Sequence, residues 1–108
     1  MRVRKLFGKI GPLVGEVARQ ERMEVNIDRH TLERAEVRGT TEVEIRDVIT
    51  TGFVVPAHSG RLGKGKVYLF GQERQGIYYE QKRVEVIYIV ERGAITTVTV
   101  KVFYGTWE

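Results

Sequence analysis

The chain has 108 residues, 42% hydrophobic and 30% charged, the composition of one globular domain rather than a disordered segment. It has no cysteine, which excludes a disulfide scaffold, a cysteine-ligated zinc and a thiol nucleophile. The formal net charge of +4 suits an anionic partner, and the excess is local: Arg61 to Arg83 holds six basic residues against two acidic ones, whereas Thr41 to Gly60 is acidic.

In chain order, Leu6, Phe7, Ile10, Leu13, Val14 and Val17 recur at three- and four-residue spacing, one face of a helix. Gly8, Gly11, Pro12 and Gly15 interrupt it, so helix is expected from about Pro12 to Arg22. Residues 1–22 thus read as a helical extension of a domain over 23–108. The basic start is not followed by a secretory apolar segment, and no apolar run approaches the ~20 residues that span a bilayer. The expectation is a cytoplasmic protein with no membrane partner.

Met23 to Asp28 alternates as a short strand. Thr31 to Arg38 reads as a helix ended by Gly39 in the left-handed conformation. Thr41-Glu42-Val43-Glu44 has the form of a capping box and opens a second helix, with Val43, Ile45, Val48 and Ile49 on its apolar side and Gly52 at its end.

From Phe53 the residues favour strands: Phe53–Val55, Lys66–Phe70, Ile77–Glu80, Arg83–Val90 and Ile95–Tyr104, with Arg92-Gly93 as a hairpin turn. In the last strand Val98, Val100, Val102 and Tyr104 share one face, and Thr97, Thr99, Lys101 and Phe103 the other. The expected fold is α+β, with helices on one face of an antiparallel sheet. Val98, Val100 and Val102 should pack on the helix that carries Val43, Ile45, Val48 and Ile49.

Three constellations could carry chemistry. The first is His30-x3-Arg34-x3-Arg38-Gly39, whose spacing of four puts an imidazole and two guanidinium groups on one helix stripe. The bland reading is a solvated helix face paired with Glu33, Glu36 or Glu42. The second is Gly60 to Lys66, which has the glycine and lysine spacing of a phosphate-binding P-loop. Val67 stands where serine or threonine would hold magnesium, and a strand follows rather than a helix, so a nucleotidase is excluded. A basic loop able to hold phosphate oxygens is left, with an ordinary polar connection as its alternative. The third interleaves Tyr68, Phe70, Tyr78, Tyr79, Tyr88, Phe103 and Tyr104 with Lys66, Lys82, Arg83 and Lys101, a pattern suited to stacking bases and pairing phosphates of single-stranded RNA. Many of these aromatics should instead be core. His30 and His58 form a metal pair only if the fold brings carboxylates to them, and no metal site is expected.

The stretch from His30 to Ile49, HTLERAEVRGTTEVEIRDVI, resembles the H-x-x-x-R-x-x-x-R-G-I-S-x-x-x-V-x-x-V-I opening of a family of small prokaryotic domains of unknown function. That family is grouped with BrnT-like proteins in the RelE toxin superfamily. The likeness covers about residues 24 to 104, and Thr40 stands where the family has an aliphatic residue. It implies a RelE-like fold and a toxin that cleaves messenger RNA, without metal or other cofactor, and is neutralised by a cognate antitoxin protein. Carried onto this chain, His30 and Arg34, with Arg38, form the cationic side of a catalytic site completed by Lys82, Arg83 or Tyr104 from the sheet. Arg61, Lys64, Lys66, Tyr68 and Lys101 form the RNA-binding set. The competing expectations are a non-catalytic RNA- or protein-binding module of the same fold, and a structural domain whose basic character serves solubility.

Overall fold

The structure, a computed structural model, describes residues 23–107; the expected helix from Pro12 to Arg22 lies outside them. The described elements run β1 (Glu24–Asn26), α1 (Arg29–Arg38), α2 (Glu42–Thr51), β2 (Phe53–Val55), β3 (Leu62–Arg74), β4 (Ile77–Glu91) and β5 (Ala94–Gly105).

α1 starts two residues before the expected Thr31 because Asp28 is its N-cap. The Asp28 side chain accepts from the Thr31 amide at 2.9 Å. Hydrogen bonding from Thr31 holds the Asp28 carboxyl below its usual range. α1 ends at Gly39 (φ 96°), where the Gly39 and Thr40 amides both reach the Ala35 carbonyl at 2.9 Å. Only glycine fits here, since a Cβ would also strike the Tyr104 hydroxyl. α2 opens on Thr41, which accepts from the Glu44 amide at 3.2 Å, but the capping box is half made. Glu44 turns instead to the Thr40 hydroxyl at 2.7 Å and the Lys82 ammonium at 2.8 Å.

The five strands form one sheet in the order β1-β5-β4-β3-β2. It is mixed rather than antiparallel: β1 runs parallel to β5, while the other pairs are antiparallel. β1 reaches only Ala94–Thr96, so Thr97 to Gly105 of β5 has no strand on that side among the described residues. The expected strands Ile77–Glu80 and Arg83–Val90 are one strand, and the expected basic loop is largely strand, since β3 begins at Leu62. Gly63 and Gly65 belong there because the side chains of their partners on the neighbouring strand, Val55 and Phe53, lean over them. A Cβ on Gly65 would meet the Phe53 ring at 2.9 Å, and one on Gly63 would meet Val55 at 2.7 Å.

β5 carries a bulge. Ile87 pairs with Thr99 and Tyr88 with Thr97, which leaves Val98 as the extra residue. The face of β5 therefore switches at that point. Ile95 and Thr97 point to the helices before it, and Val100 and Val102 after it. Ile95, Thr97 and Val100 are buried, Val102 packs against the core, and Val98 is only half-buried. The expected alternation thus holds for Val100 and Val102, and fails for Val98 and Thr97. The expected partner helix is also corrected, because β5 lies mainly under α1 while α2 covers β4 and β3. Val43 is exposed, so Ile45, Val48 and Ile49 alone carry the apolar side of α2. They meet Val84, Val86, Tyr88, Ile95 and Val100 in one core, where each full burial contributes about 1.5–3 kcal/mol.

Candidate functional site

Strand alternation gives the sheet two unlike faces. Lys64, Lys66 and Tyr68 of β3, Lys82, Val84 and Val86 of β4, and Val100, Val102 and Tyr104 of β5 lie in register on the face that the helices cover. Phe53, Val55, Val67, Arg83, Glu85, Ile87, Thr99, Lys101 and Phe103 lie on the other.

On the covered face the cations are bound. The last carbonyls of α1 point at the sheet, and three side chains meet them in turn. Arg74 donates to the Val37 carbonyl at 2.9 Å, the Tyr104 hydroxyl to Arg38 at 2.6 Å, and Lys82 to Gly39 at 2.8 Å. Cations at a helix C-terminus satisfy orphan acceptors and the helix dipole together. Burial pushes the Tyr104 hydroxyl above its usual pKa, so it is a donor rather than a phenolate. The Arg38 guanidinium donates to the Val100 carbonyl at 2.6 Å. Phe70 and Tyr79 pack on Tyr104 with ring centroids at 5.1 and 5.5 Å, and Arg74 lies 4.9 Å above its ring.

A second cluster ties α2 to β3. Asp47 accepts from Lys66 at 2.7 Å and from the Tyr68 hydroxyl at 2.6 Å. Lys66 also donates to Thr51 at 2.7 Å, and Lys64 reaches the Ile49 carbonyl at 3.4 Å. The Lys66 and Tyr68 bonds hold the Asp47 carboxyl below its usual range, while burial and then Asp47 push the Tyr68 phenol up.

The expected catalytic set is therefore divided. Arg38, Lys82 and Tyr104 gather at the end of α1, where Lys82 and Tyr104 serve backbone carbonyls and Glu44 and one guanidinium nitrogen of Arg38 donates to the Val100 carbonyl. His30 and Arg34 are exposed on α1. His30 lies about 12 Å along the helix axis from Arg38, at ~1.5 Å per residue. Arg83 is on the opposite face of the sheet. The expected RNA-binding set divides too: Lys64, Lys66 and Tyr68 face the helices, and Arg61 and Lys101 the open side. Among the described residues no group of three or more His, Cys, Asp or Glu could hold a metal ion.

The other face, left open by the helices among the described residues, offers different chemistry. Phe53 and Phe103 are each 45% exposed, and the Arg83 guanidinium lies 5.0 Å over the Phe53 ring while its Nε binds Glu85 at 2.7 Å. Thr99, Lys101 and Phe103 follow one another along β5 on this face. Beside them is a recess of about 270 Å³ lined by Pro56, His58, Arg61, Ile87, Thr99 and Lys101. Sequence reading missed Phe53 and the recess. Phe53 and Val55 share a strand face, but nothing in the sequence shows two glycines beneath them.

No helix of the described residues is long and apolar enough to cross a membrane. No protein-family model, curated protein or solved structure matches the chain.

Proposed function

We propose that the chain is a non-catalytic module that binds single-stranded RNA across the sheet face that the described helices leave open, a degenerate relative of the RelE-type nucleases. The observation that carries this reading is the pair of exposed rings, Phe53 and Phe103, on one open face with Arg83 and Lys101. Bases stack on such rings and on guanidinium planes, while cations meet the phosphates. The arrangement of two helices over a sheet supports the RelE-like half of the reading. The cleaving half has less support, because Lys82 and Tyr104 already serve the end of α1, and His30 is a helix length away from them.

The test is fluorescence anisotropy of a labelled single-stranded RNA at increasing salt, with the RNA checked for integrity afterwards. Affinity should fall steeply with salt, and Lys101→Ala should lower the log–log slope by about 0.7, one phosphate contact on a single strand. Salt-independent binding, or binding unchanged by Lys101→Ala, Arg83→Ala and Phe103→Ala, would overturn the reading. Cleaved RNA, with cleavage lost in His30→Ala, would restore the endoribonuclease and with it the need for a cognate antitoxin.

A further inference from the structure

The recess beside the aromatic face has a defined wall. Ser59 (φ 56°) and Gly60 (φ 76°) are both left-handed, and the Arg61 amide donates to the His58 carbonyl at 3.0 Å. Positive φ at both central residues is the signature of a type I′ turn, whose first and last Cα atoms lie within about 7 Å. The turn therefore sets His58 and Arg61 side by side, and both side chains line the recess. Lys101 joins them from β5, with the Thr99 hydroxyl beside it on the same strand. Ile87 and Pro56 supply apolar wall. The carboxylate opposite Lys101 in the register, Glu85, is held by Arg83 at 2.7 Å.

We infer that this recess binds a terminal phosphate monoester of the nucleic-acid strand that crosses the open face. The inference rests on the binding mode proposed above and names the part of the ligand that the recess selects. Residues bearing a guanidinium, an ammonium, an imidazole and a hydroxyl line this one recess, which is a donor set for a compact anion with several acceptor oxygens. At about 270 Å³ the space lies just under the range of roughly 300–1,000 Å³ typical of small-molecule pockets, so it suits a chain end rather than a whole cofactor. An internal phosphodiester carries one charge and a chain on both sides, so it runs along a groove. A monoester carries about −1.5 to −2 at neutral pH and projects beyond the chain. Lys101 precedes Phe103 by two residues on the same face, so a phosphate held in the recess leaves the adjoining base beside the exposed ring.

The test uses the full chain and one oligonucleotide sequence in three forms, 5′-phosphorylated, 3′-phosphorylated and hydroxyl at both ends. One phosphorylated form should bind about tenfold more tightly than the hydroxyl form, the scale of one added charge-assisted contact. The arm that gains identifies the end. His58→Ala should reduce that preference while leaving affinity for the hydroxyl form in place, and Arg61→Gln should reduce the preference at least as far. Equal affinity for all three forms overturns the inference and leaves the RNA-binding reading standing. If no form binds, the RNA-binding reading falls, and the recess is decided by nuclear magnetic resonance with adenosine, adenosine 5′-monophosphate and adenosine 3′-monophosphate. His58 ring signals that move with a monophosphate and not with adenosine support the site; signals that stay still overturn it.

Discussion

The two faces of this sheet carry the same residue types and put them to opposite uses. Beneath the helices, Lys66, Lys82, Arg74 and Arg38 end on a carboxylate or a backbone carbonyl within 3 Å. On the far side Arg61 and Lys101 stand exposed at the mouth of a recess, and Arg83 is stacked on a ring that faces solvent. A basic sequence is therefore a poor guide to a binding surface. A cation next to a helix end is an anchor, whereas Arg61 and Lys101 on the other face stay exposed.

The sharpest way to break this contrast is at Lys82, which is 8% exposed. Lys82→Ala strands Glu44 and the Gly39 carbonyl, and should lower stability by about 3 kcal/mol in urea unfolding, with RNA affinity of the folded fraction unchanged. A fully stable Lys82→Ala protein would mean the covered face does not need its cations. Phe103→Ala should do the reverse, costing about 1–2 kcal/mol of RNA binding by anisotropy, the scale of one lost stacking platform, with little change in the urea midpoint. Tyr104→Phe removes only the hydroxyl bond to Arg38 and should cost about 1 kcal/mol of stability.

A pH series sharpens the covered face further. Asp47 has its folded pKa depressed by Lys66 and Tyr68, so its contribution is present above the ordinary aspartate pKa and is lost as the pH falls through the lower folded value. Urea midpoints should decline below about pH 4, and Asp47→Asn should flatten that decline. The smallest effect is expected at His30 and Arg34. Exposed on α1, each should change stability by less than about 0.5 kcal/mol on replacement by alanine. A hundredfold loss of cleavage in a folded His30→Ala protein would instead make the helix surface catalytic.

Local chemistry was legible in the sequence. Gly39, Thr41 and Gly52 mark the helix ends, and Arg92-Gly93 marks the hairpin. What escaped it was set by contacts between distant residues. Gly63 and Gly65 read as loop because a strand glycine makes sense only when the bulky residue opposite it on the next strand is known. Gln81-Lys82 read as a break in β4 because a buried lysine needs Glu44 and Gly39, one helix away, to be tolerable. The bulge at Val98 follows from the pairing with β4, and no composition around Val98 announces it. Period-two alternation sorted the side chains of β3 into two sets, but lysines at the inward positions hid which set the helices would cover. For this reason Lys64, Lys66 and Lys101 were grouped as one surface when they occupy two.

The flank of β5 that no strand among the described residues covers has a consequence for how the protein behaves when concentrated. A strand without a neighbour is a template on which another chain can add, the usual start of aggregation. Here the Val100 carbonyl, midway along that flank, is already taken by the Arg38 guanidinium, and Lys101 adds a charge at the next residue. An arriving strand must strip a charged donor from its acceptor before the first rung of a new ladder can form. Arg38 is in this sense a gatekeeper, and a variant such as Arg38→Leu should form thioflavin-positive aggregates at concentrations where the parent chain stays clear.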